Sequence, residues 1–98
     1  MYYMEHLLIL LTAEDAGSLR FCAGSPPVIV SEGEHRPLQG PAVSDEEVLL
    51  LLRKLASSRQ MRELRECGKV QFMYSSPGHP PFLVRAKMFE EQIIFDVS

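Results

Sequence analysis

At Gly68 the spacing of the apolar residues changes. Before it, Val48, Leu51, Leu52 and Leu55, then Met61 and Leu64, recur every three or four residues; after it, Val70, Phe72 and Tyr74 alternate with Gln71 and Met73. A 3.6-residue period lays one apolar stripe along a helix, and a period of two lays one apolar face on a strand. The alternation resumes with Phe82, Val84, Ala86 and Met88, interleaved with Leu83, Arg85 and Lys87, and a last strand runs from Gln92 to Val97. Ser75 to Pro80 makes a hairpin loop, and Phe89-Glu90-Glu91 a tighter turn. Three strands in succession joined by short turns can only pair antiparallel, because a parallel pair needs a long crossover.

The helices before Gly68 carry their own start signals. Ser44-Asp45-Glu46-Glu47 is a capping box, in which the Ser44 hydroxyl accepts from the amide three residues on and Glu47 reaches back to the Ser44 amide. A two-serine break at Ser57-Ser58 opens a further helix, with Gln60 placed for a second box and Gly68 to end it. At the start of the chain, Met4, Leu7, Leu8 and Leu11 predict an amphipathic helix over residues 3–16, with Gly17 as its C-terminal cap.

Between these helices lies SLRFCAGSPPVIVSEGE. Each proline fixes φ and removes a backbone donor, so Pro26 and Pro27 cannot occupy a central strand, while Gly24 suits a sharp change of direction. The stretch reads as strand (19–22), rigid corner, strand (27–31), with Glu32-Gly33-Glu34 turning into a third short strand ending near Leu38. The order α, β, β, β, α, α, β, β, β predicts an α+β fold: a mainly antiparallel sheet of about six short strands packed against three helices. At 98 residues, 46% apolar and 23% charged, the chain is expected to form one domain with a modest core.

The totals also exclude function classes. A net charge of −3 leaves no basic excess for a general nucleic-acid binder. The longest apolar stretch, Leu7 to Leu11, is far short of the ~20 residues that cross a bilayer. Residues 1–6 hold Glu5 and no Lys or Arg, so no export signal is read and the cytoplasm is the expected location. Cys22 and Cys67 lack CxxC spacing and are expected to be buried thiols. His6, His35 and His79 show no ligand spacing, and no metal or other cofactor is expected. The carboxylate pairs Glu14-Asp15, Asp45-Glu46-Glu47 and Glu90-Glu91 read as helix end, helix cap and turn rather than as acid and base groups. The pattern GxxxxGK[ST] of a phosphate loop occurs nowhere. Arg20, Arg85 and Lys87 fall on polar strand faces; they form a solvated face or a surface for an acidic protein partner.

With the elements placed, nearly the whole chain resembles the N-terminal domain of the PilT-type pilus-retraction ATPases, within the secretion ATPase superfamily. That family opens with an amphipathic helix followed by a pattern like SDLHLxxGxPPxxRxxG, in whose spacing Leu19, Phe21, Gly24, Pro26, Pro27 and Gly33 fall. Ser18, Arg20 and Val30 stand where the family usually has Asp, His and Arg. The segments GKVQFMYS and Phe82-Leu83-Val84-Arg85-Ala86 resemble the strands that follow in the family. The resemblance implies a PAS-like fold preceding a RecA-like core that these 98 residues do not contain. It implies further that the chain is no ATPase itself but an interaction or oligomerisation element. Its partners would be motor or secretion ATPase subunits, a homo-oligomer being possible, and its contacts would come from Arg20, Arg85 and Lys87 or from the corner at Gly24, Pro26 and Pro27. A PAS-like sensory domain enclosing a small molecule is the alternative.

Overall fold

A computed structural model describes residues 2–13 and 17–98. The elements follow the expected order: α1 (Met4–Ala13), β1 (Ser18–Cys22), β2 (Val28–Ser31), β3 (Glu34–Pro37), α2 (Asp45–Arg53), α3 (Ser58–Cys67), β4 (Lys69–Tyr74), β5 (Phe82–Phe89) and β6 (Gln92–Val97). The expected continuation of the first helix over Glu14-Asp15 lies outside the described residues. Gly17 N–H donates to the Val30 carbonyl at 3.0 Å, one residue out of step with the Ser18–Val30 pair of the β1–β2 ladder.

The strands form one antiparallel sheet in the order β3-β2-β1-β6-β5-β4. Two three-stranded meanders, one from each half of the chain, are joined by a β1–β6 seam that pairs Leu19 with Val97 and Phe21 with Phe95. Across that seam the rings of Phe21 and Phe95 stack with centroids 4.4 Å apart and planes 13° from parallel. Such a cross-strand aromatic pair contributes about 0.5–1.5 kcal/mol beyond its burial.

The period of two puts Leu19, Phe21, Val84, Ala86, Phe95 and Val97 on one face, all buried. Helix α2 packs over β6 and β1, and α3 over β4 and β5. The α1 stripe of Met4, Leu7, Leu8 and Leu11 joins the same core. Both capping boxes form: Glu47 N–H donates to Ser44 Oγ at 3.1 Å and Gln60 N–H to Ser57 Oγ at 3.2 Å, with the return bonds in place. Gly68 ends α3 in the left-handed conformation and feeds β4 directly, which is why the period changes there.

The expectation of two buried thiols is corrected. Cys22 is half-buried and Cys67 exposed. Alternation with buried Phe21 turns Cys22 to the opposite side of the sheet, and Cys67 sits on the last residue of α3, where the chain leaves the core.

The corner is stitched to the segment that precedes α2. Gly24 (φ +88°) donates to the Val43 carbonyl at 2.9 Å, Val43 N–H donates to Ser25 O at 3.0 Å, and Leu38 N–H donates to Pro27 O at 2.8 Å. Val43 and Pro27 are both fully buried. The corner therefore presents the Ser25 and Pro27 carbonyls to residues 38–43, while the Pro26 carbonyl accepts from Ser25 Oγ at 2.8 Å and Pro27 fills core space. On the other side of this segment, Tyr2 Oη donates to Pro41 O at 2.6 Å.

Candidate protein-interaction surface

With the helices on the buried face, the alternate residues of β1, β6, β5 and β4 line the other. The register aligns them in rows. One row runs Arg20, Asp96, Arg85, Gln71, and the next runs Cys22, Ile94, Lys87, Lys69. Arg20 is thus brought onto one face with Arg85 and Lys87, more than 60 positions away in sequence, and all three are exposed.

Asp96 sits opposite both Arg20 and Arg85, and its Oδ1 lies 3.5 Å from Arg85 Nε. That oxygen is buried and accepts no hydrogen bond, so the ion pair is its compensation for lost water. Arg85 is half exposed, which limits what the pair adds to stability to the order of 1 kcal/mol or less.

Lys69 was not among the residues expected at this surface. It lies directly opposite Lys87, so two ammonium groups share one cross-strand position. Like charges placed this way are destabilising and attract an anionic surface. The period of two in KVQFMY already put Lys69 with Gln71 and Met73 on the polar side; what the sequence could not supply was the pairing partner. Exposed Ile94 and Met73 add apolar area among the cations. The face therefore offers four cations, one partly neutralised carboxylate and some apolar surface.

The other expected positions lie apart from it. Gly24 and Pro26 are in the corner, and Gly33, with Glu32, makes the two-residue β2–β3 turn. Among the described residues no group of three His, Cys, Asp or Glu could hold a metal ion. No described helix is long and apolar enough to cross a membrane. On the helix side a hollow of about 640 Å³ opens between α1, α2 and the β4–β5 loop, with Leu8, Leu51, Tyr74 and His79 in its lining.

No family profile matches the sequence, and no characterised protein matches it by sequence comparison. Solved structures do match. The pilus retraction motor PilT, solved with bound ADP, superposes over 99% of this chain with a TM-score of 0.85 at 19% identity. The fold is shared with a pilus retraction motor. The PilT-like fold recurs in the ATPase DotB of Legionella pneumophila (TM-score 0.77, 16% identity, 96% of this chain) and of Yersinia pseudotuberculosis (0.63, 16%, 96%). This chain spans only 28% of the PilT chain and 27% and 28% of the two DotB chains, the extent of one domain within a larger ATPase. The fold likeness agrees with the resemblance carried by Gly24, Pro26, Pro27 and Gly33.

Proposed function

We propose that this chain is a non-catalytic interaction module of the pilus-motor or secretion-ATPase kind, working in the cytoplasm and docking on a RecA-like ATPase core. The observation that carries the reading is the PilT-like fold over 99% of the chain, joined to an open sheet face rich in cations. Arg20, Lys69, Arg85 and Lys87 steer an acidic surface of the core toward the sheet, and Ile94 and Met73 supply the apolar centre of the contact. The corner at Pro26-Pro27 keeps β1 rigid behind that face.

The test is capture of a full-length PilT-type motor ATPase by the 98-residue chain. Binding that weakens with salt and is lost in Arg20→Glu/Lys87→Glu, with the chain still folded by circular dichroism, is the expected result. A chain that captures no such ATPase, or binds equally well after the charge reversal, refutes the reading.

One observation favours a second reading, a PAS-like module for a small molecule. The hollow beside α1 is within the roughly 300–1,000 Å³ range of ligand pockets. Exposed Tyr3, Ile9 and Leu50 stand among its walls. A ligand whose binding is abolished by Leu50→Glu, in a chain that ignores motor ATPases, would decide for it.

A further inference from the structure

The two edges of the sheet are not alike. In β3, Leu38 N–H donates to Pro27 O, so residues 34, 36 and 38 turn their backbone groups toward β2, and His35 and Pro37 turn theirs outward. Pro37 has no N–H, which leaves His35 as the outward donor of a four-residue, fully exposed and charged strand. Such an edge is blunted against further pairing.

The β4 edge is less protected: its one charge is Lys69, at its first residue. Met88 N–H donates to Gly68 O at 2.9 Å, which fixes the parity of the β4–β5 ladder: Val70, Phe72 and Tyr74 turn their backbone groups to β5, and Lys69, Gln71 and Met73 turn theirs outward. Among the described residues no backbone or side-chain group takes up these three N–H and three C=O groups. The strand holds no proline and is six residues long.

We infer that β4 pairs antiparallel with the β4 of a second copy of this chain, across a two-fold axis at Gln71. This goes beyond the docking reading and does not depend on it. The occupant is a second copy because the strand is self-complementary in that register. Gln71 meets the partner's Gln71, Lys69 meets the partner's Met73, and every outward backbone group finds a mate. Opposite residues in an antiparallel pair share a face, so on the helix side Val70 meets the partner's Phe72, apolar against apolar. No like charges oppose each other, in contrast to Lys69 and Lys87 within one sheet. The product is a closed dimer with one continuous twelve-stranded sheet, whose open face doubles the row of cations.

A single strand pair buries less than the ~800 Å² per partner of a standard interface, so the dimer is weak and concentration-dependent. Sedimentation of the chain from about 10 µM to about 1 mM should show a reversible monomer–dimer equilibrium. Over the same range, amide exchange at Lys69, Gln71 and Met73 should slow, while Val70 and Phe72 amides stay protected throughout. Two substitutions at exposed Met73 test the register with opposite signs: Met73→Lys sets a like charge against the partner's Lys69 and loosens the dimer several-fold, and Met73→Glu tightens it several-fold. Gln71→Pro, whose missing N–H faces outward and costs the monomer no ladder bond, should leave a folded monomer. A chain monomeric up to about 1 mM overturns the inference, as does a dimer that persists in Gln71→Pro or responds alike to the two Met73 variants.

Discussion

Two turns of the sheet have the same shape and different chemistry. Glu32 (φ +50°) and Gly33 (+82°) connect β2 to β3, and Glu90 (+50°) and Glu91 (+67°) connect β5 to β6. Both are two-residue turns with left-handed φ at each position, a shape that favours Asn-Gly. Gly33 meets that demand and Glu91 does not. A non-glycine residue in the left-handed region costs about 1–2 kcal/mol, and glycine forfeits about 0.5–1 kcal/mol through its freer unfolded chain. Glu91→Gly should therefore stabilise the fold by about 0.5–1 kcal/mol and raise the melting temperature by about 2–8 °C. Gly33→Ala should cost a similar amount, through the backbone alone, because a Cβ there meets nothing within 4 Å. Urea denaturation followed by circular dichroism measures both, with an unchanged slope showing that the denatured state is the same. Glu91→Gln is the charge control and should be near neutral. If Glu91→Gly is neutral or destabilising, or Gly33→Ala costs nothing, the conformational argument for both turns fails.

Other substitutions probe the joints of the fold. Gly40→Ala would place a Cβ 2.5 Å from Tyr2 Oη, so Tyr2 must leave its bond to Pro41; a loss of about 1–3 kcal/mol and a change in tyrosine fluorescence are expected. Ser57→Ala removes the hydroxyl that caps α3 and should cost about 1 kcal/mol in the same urea assay. Phe95→Ala empties the centre of the β1–β6 seam and should cost about 3–5 kcal/mol, a large share of the roughly 5–15 kcal/mol typical of a domain, read as a lower urea midpoint.

Local chemistry made most of the elements readable. Serine at two N-caps, glycine at one C-cap and a clean change of period at Val70 each act within a few residues, so the boundaries of α2, α3 and β4 follow from the chain itself. The open cationic face was only half visible. Alternation assigns Arg20, Arg85 and Lys87 to polar sides of their strands, but their adjacency depends on β1 pairing with β6, a choice made by the burial of Phe21 against Phe95 rather than by any local signal. The same holds for Asp96, which in sequence is one acid in a terminal strand and in the sheet lies between two arginines. Lys69 was legible as polar and outward; its position against Lys87 was not, because register is a property of two strands at once.

That pairing of β1 with β6 also sets how the chain must fold in time. Each meander closes through short turns, but Leu19 and Val97 meet only after 77 intervening residues have been gathered in. Loop-closure entropy makes this the costliest step, and non-local pairings of this kind slow folding. Until the seam forms, β1 and β6 are bare edges on two half-built sheets. The Phe21–Phe95 stack is thus more than core filling: it closes the pairing that spans the greatest length of chain in the sheet.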